Sequence, residues 1–85
     1  MIAREEVLGI AKRIIADNAP DAFGNDIDEG TVLNAEGNVD SMGFILVLTK
    51  LEGEVGARIP NNEWDKLRTL GDLVDAVMAH LPEDA

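Results

Sequence analysis

The sequence predicts an all-α fold: a small four-helix bundle of three longer helices and one short helix, within one domain, 1–85. Three observations predict it. Apolar residues recur at helical spacing in three separate stretches. Alternation of β-branched residues at period two is scarce. Each stretch is bounded by residues that start or stop helices.

The first helix is expected from Ala3 to Asp17. Val7, Ile10, Ala11 and Ile14 form its inner stripe, joined by Leu8 and Ile15. Glu5 and Glu6 suit the positive N-terminal end, and Asn18-Ala19-Pro20 ends the helix because proline cannot continue the ladder. A long stretch from Ala19 to Asp40, rich in Gly, Asp and Asn, follows. Loops of this length in a small domain are usually functional or packed on themselves. Phe23, Ile27, Val32, Leu33 and Val39 are its candidate anchors, and Gly37-Asn38 is a turn signal.

The second helix is expected from Ser41 to about Val55, capped by Asp40 or Ser41 and stopped at Gly56. Ala57 to Lys66 is a connector, with one short helical turn at Asn61-Asn62-Glu63-Trp64 after Pro60. The last helix is expected from about Leu70 to Leu81, with Thr69 as its cap and Pro82 as its stop. Leu70, Leu73, Val74, Val77, Met78 and Leu81 line its inner face.

Composition narrows the function classes. The core is aliphatic, since Phe23, Phe44 and Trp64 are the only aromatics. The absence of cysteine excludes a disulfide scaffold, a cysteine nucleophile and a thiolate metal site. A net charge of −10 argues against nucleic acid, whose phosphates attract the opposite sign, and steers the chain towards basic partner surfaces. No apolar run is long enough for a membrane span, and Met1 to Glu6 show no signal-peptide pattern, so a cytoplasmic location is expected; the chain is also expected to be a monomer.

No metal site is expected. An EF-hand loop counted from Asp26 places Thr31 and Gly37 where glycine and glutamate are needed. No zinc signature, glycine-rich phosphate loop or Ser–His–Asp motif is present. His80 lies near the C-terminal end of the last helix with no nucleophile to activate, so catalysis is not expected.

The second helix carries one apolar stripe too many. Turning by about 100 degrees per residue, Phe44, Val47, Leu48, Leu51 and Val55 gather on a core face. Met42, Ile45, Leu46, Thr49 and Gly53 fall largely on the other side. Either the long loop folds over this second stripe or it is a docking surface. It lies beside Ser41, at a helix N-terminus where free N–H groups and the helix dipole favour a phosphate. Taken alone, Asp-Ser at a helix start also suits an ordinary N-cap.

The run Val39-Asp40-Ser41-Met42-Gly43-Phe44, followed by Leu48, Leu51-Glu52 and Arg58-Ile59-Pro60, resembles the acyl carrier protein family. That family carries an Asp-Ser-Leu or Asp-Ser-Met motif at the start of its second helix. An Ile-Pro, a short third helix and a Thr-capped fourth helix follow. The resemblance extends from Asp40 onward without gaps and agrees in length, acidity and helix order.

The resemblance implies a 4'-phosphopantetheine arm on Ser41, added by a phosphopantetheinyl transferase, with Asp40 helping to present the serine. It implies acyl cargo held as thioesters, and partners among acyl- or aminoacyl-loading ligases, acyltransferases and synthases. Met42 flanks the attachment point, and Met42, Ile45, Leu46 and Thr49 fall where the family meets its partner enzymes. One departure stands out. Where carriers of general fatty acid synthesis usually have acids, this chain has Gly43, Leu46 and Thr49, leaving Glu52 and Glu54 as the exposed acids of the helix. That points to a specialised fatty acid, lipid or secondary-metabolite pathway. Aminoacyl carriers of the D-alanyl type share the Asp-Ser-Met-Gly style of motif and a Trp in the third-helix region, and are an alternative. An unmodified acidic helical interaction domain is the alternative of another class.

Overall fold

The computed structural model of the chain describes residues 2–18, 26–34 and 42–82, with Met42 by its backbone alone. Among these residues the elements are α1 (Arg4–Asn18), α2 (Met42–Val55), a short 3-10 helix (Asn61–Lys66) and α3 (Leu70–Ala79). The all-α expectation is met, with three longer helices and one short one. The expectations for Phe23, Val39, Gly37-Asn38, Asp40 and Ser41 lie outside the described residues.

α1 packs against both α2 and α3. It contributes Val7, Ala11, Ile14 and Ile15 to the core, whereas Leu8 and Ile10 are half-buried at its margin. α2 contributes Phe44, Val47, Leu48 and Leu51, and α3 contributes Leu70, Leu73, Val74 and Val77. Val55, expected in the core, is half-buried and packs on the cluster from outside.

Gly56 ends α2 as expected. Its φ of 75° lies in the left-handed region that glycine enters without a Cβ penalty. α3 stops two residues before the expected Leu81. His80 caps it, its N–H reaching Ala76 O and Val77 O, while Leu81 still packs on the core. The connector folds further than expected, into six residues of 3-10 helix rather than one turn. Trp64 half-buries against the core from this segment and donates its Nε1–H to Ile59 O at 3.1 Å.

The start of α3 is fully provided for from within the chain. A helix leaves its first N–H groups without intrahelical acceptors. Here Leu70 N–H donates to Thr31 O, Gly71 N–H to Glu29 O and Asp72 N–H to Thr69 Oγ1. The Asp72 carboxylate accepts from Thr69 N–H, completing a capping box. Part of the long loop is therefore laid across this helix end. Asp28 shapes it locally, accepting from Gly30 N–H at 2.8 Å. Leu33 N–H and Asn34 N–H both donate to Arg68 O.

Val32, expected as a core anchor, is instead 52% exposed. Its backbone forms an antiparallel bridge with Thr69, so it anchors through the main chain rather than through its side chain. Leu33, next in sequence, is the buried anchor, and Ile27 is half-buried against the core.

Two features lock the loop against the helices. Arg4 donates to both Glu29 and Asp75, joining the start of α1 to the loop and to α3. The hydrogen bond from Arg4 holds the Glu29 carboxyl below the usual glutamate range. The second feature is Gly71, where a Cβ would stand 3.0 Å from Glu29 O and 3.3 Å from Glu29 Cβ. Gly71→Ala is accordingly expected to push the loop from the helix and to destabilise the fold by about 1–3 kcal/mol, the range for overpacking. A urea titration checks this, and an unchanged midpoint would contradict the close packing.

One polar side chain stands inside the core region. Asn34 is only 3% exposed, and its Nδ2 has no hydrogen-bond partner among the described residues. A buried donor without an acceptor costs about 1–3 kcal/mol, a large share of the modest stability available to a small domain.

Candidate functional site

α2 begins at Met42, the residue directly after Ser41 in the chain. Its first turn contains no acidic side chain, unlike that of α1, where Glu5 and Glu6 stand, or of α3, where Asp72 closes the capping box. A helix start with positive dipole character and no carboxylate within its first turn is a place where a phosphodiester charge is tolerated. Ser41 and Asp40 themselves lie outside the described residues, as does the Met42 side chain.

The second stripe of α2 has a clear outcome at three positions. Ile45 and Leu46 are half-buried, and Ile45 packs against the core cluster. Thr49 is exposed, and its Oγ1 donates back to Ile45 O at 2.7 Å, with Leu46 O at 3.3 Å. Its hydroxyl is thus used within the helix, which keeps the outer face weakly polar. Beside it, Thr49, Arg58, Ile59, Pro60 and Trp64 line a shallow groove between α2 and the 3-10 helix.

Glu52 corrects one sequence expectation. It is not a freely exposed acid of α2 but is half-buried, and its Oε2 accepts the Ile59 N–H at 2.6 Å. The carboxylate holds the connector onto the end of α2. Glu54 is exposed, as expected. The α2 outer face therefore offers a partner even fewer free carboxylates than its sequence suggested.

Spacing gave no hint of how two polar side chains are placed. The role of Glu52 depends on the connector folding back seven residues later. Asn34 sits in a Gly-, Asp- and Asn-rich stretch, where one more Asn reads as ordinary loop polarity. His80 lies 3.3 Å from Glu63, linking the end of α3 to the 3-10 helix, a structural contact. Among the described residues no group of three or more His, Asp or Glu is arranged to hold a metal ion. No helix among them is long and apolar enough to cross a membrane.

No protein-family model matches the chain. Comparison with curated proteins finds the acyl carrier protein of Lactobacillus acidophilus, 33% identical over 79 residues, a match covering 93% of this chain and 98% of that relative. The chain belongs to the acyl carrier protein family. The acyl carrier protein of Lactobacillus johnsonii is 35% identical over 69 residues, 78% of this chain and 86% of the relative. That of Tropheryma whipplei is 29% identical over 83 residues, 92% of this chain and 94% of the relative. An acyl carrier protein is a carrier and not an enzyme, and the family works with a phosphopantetheine prosthetic group. In this acyl carrier protein Gly43, Leu46 and Thr49, where the resemblance led acids to be expected, all belong to α2.

Proposed function

We propose that residues 1–85 form one carrier domain that holds acyl groups on a 4'-phosphopantetheine arm joined to Ser41, in a specialised fatty acid, lipid or secondary-metabolite pathway. The observation that supports this most is positional. Ser41 directly precedes the first residue of α2, whose first turn holds no acid, in a chain of which 93% is covered by the match to an acyl carrier protein. The arm supplies a thiol, which this cysteine-free sequence lacks, and the thiol carries the acyl group as a thioester.

The residues of the chain then have separate tasks. Ser41 provides the hydroxyl that accepts the arm. Asp40 presents that serine to a phosphopantetheinyl transferase. The α2 N-terminus stabilises the phosphodiester charge. Met42, Ile45, Leu46 and Thr49 form the docking face for the transferase, the loading ligase, and the acyltransferases or synthases that follow. The protein works as a monomer in the cytoplasm in this reading. Incubation with coenzyme A, magnesium and a broad-specificity transferase tests the core of it: one arm is gained in intact mass, and no gain removes the carrier assignment to Ser41.

The docking face gives a second expected outcome. Surface docking by half-buried aliphatic side chains concentrates energy in a few of them. Leu46→Ala is expected to weaken binding of the loading enzyme by roughly tenfold, about 1.4 kcal/mol. Titration calorimetry measures it, with circular dichroism as the control for folding. An affinity equal to the wild type would move the docking face elsewhere.

A further inference from the structure

We propose that Arg58 makes the groove between α2 and the 3-10 helix a receptor for a carboxylate side chain on the partner enzyme, so that this carrier is read there by an acidic element and not by a basic one. The inference rests on the carrier reading above and specifies the partner.

The groove holds about 430 Å³ and opens to solvent. It adjoins the face already assigned to docking, since the exposed Thr49 forms part of its wall. Trp64, half-buried on the 3-10 helix, lines it as well, and Arg58 stands on the connector between the two elements. Tryptophan and arginine are among the residues that most often carry binding energy at protein contacts.

The charge a partner meets there follows from where each polar group is already used. Thr49 Oγ1 donates to Ile45 O at 2.7 Å, and Trp64 Nε1–H donates to Ile59 O at 3.1 Å. Glu52 Oε2 accepts Ile59 N–H at 2.6 Å, so the carboxylate of the groove is turned onto the connector backbone. The 3-10 helix adds Asn61 and Trp64 to the lining and no acid. Its Glu63 lies instead 3.3 Å from His80. Arg58 differs from all of these. It is exposed, and its guanidinium makes no hydrogen bond or ion pair among the described residues. A guanidinium presents its N–H donors as a planar fork, and a carboxylate takes two of them side by side. A lysine or arginine from a partner meets a like charge at this point, which disfavours the contact.

The net charge of −10 does not reverse this. It draws basic surfaces from a distance, but at physiological ionic strength the field of exposed charges fades over about 8 Å. At contact, the local charge left without a partner decides.

The test uses a phosphopantetheinyl transferase whose docking rim is basic, a partner placed on this face by the reading above. Variants of it change each exposed rim Lys or Arg singly to Glu. The carrier is the wild type, Arg58→Gln or Arg58→Glu, with circular dichroism as the control for folding, and kcat/KM for arm gain is followed by intact mass at low salt. With the basic transferase, Arg58→Glu is expected to be modified roughly fivefold faster than the wild type, with Arg58→Gln between them. With at least one rim variant the order should invert, the wild type being modified faster than Arg58→Glu, and both differences should shrink at high salt. Rates indifferent to the charge at position 58, or no rim change that inverts the order, would overturn the inference and leave the carrier reading intact, because the wild type still gains its arm. No gain of mass in any carrier would remove both.

Discussion

Ser41→Ala should abolish the mass gain seen when the wild type is treated with coenzyme A and a transferase. The loss is expected to be complete, because the proposal assigns the arm to one hydroxyl. Ser41 precedes α2 and so occupies an N-cap position by sequence, and replacing a cap serine with alanine costs about 0.5–2 kcal/mol. A partly unfolded variant would also fail to be modified. Ser41→Asp answers this, since aspartate caps a helix as well as serine does but offers no hydroxyl nucleophile. It should melt close to the wild type and accept no arm. A full gain of mass in a folded Ser41→Asp protein would show that another residue is the acceptor.

Phe44→Ala is the substitution expected to harm the fold most. Phe44 is fully buried, and it is the one aromatic ring in the described core cluster. Removing a buried phenylalanine side chain costs about 3–5 kcal/mol through lost transfer energy and the cavity left behind. Natural domains are stable by only about 5–15 kcal/mol, and one this small stands low in that range. The variant should therefore be largely unfolded or near its midpoint at physiological temperature. The effect also reaches function, because Phe44 lies in the first turn of α2, three residues after Ser41. Loss of this ring is expected to loosen the start of α2, beside the proposed attachment serine. Urea titration followed by circular dichroism measures the first consequence, and the mass gain measures the second. A midpoint within error of the wild type would contradict the packing described for the core.

Much of this architecture was legible because helices announce themselves locally. The stripe Val7, Ala11, Ile14 and the stripe Leu70, Leu73, Val74, Val77 are periodic, and their burial follows from period alone. Thr69 with Asp72 three residues later is a cap pattern, and Gly56 is a stop that needs only its own φ. The placements that failed depend on residues distant in the chain. Val32 is apolar and was expected inside, but its strand-like pairing with Thr69 leaves the side chain out. Glu52 is acidic and was expected outside, but the connector returns to donate Ile59 N–H to it. The last helix stopped early because His80 takes a non-helical conformation ahead of Pro82.

The candidate site divides in the same manner. Ser41, Asp40 and the outer stripe of α2 were visible as a motif and a surplus of apolar residues. Elsewhere in the fold, the burial of Asn34 was not visible, since an amide becomes conspicuous only once its surroundings and its missing partner are known. Its loop position comes from hydrogen bonds to Arg68 and from the close approach of Glu29 to Gly71, and neither leaves a periodic trace.

The most direct test is to digest the coenzyme A-treated chain and locate the arm by peptide mass spectrometry. The account predicts a single modified peptide, the one containing Asp40-Ser41-Met42, with fragment ions placing the arm on the serine. An arm on any other residue, or a chain that remains unmodified while a known carrier in the same tube is converted, would contradict it.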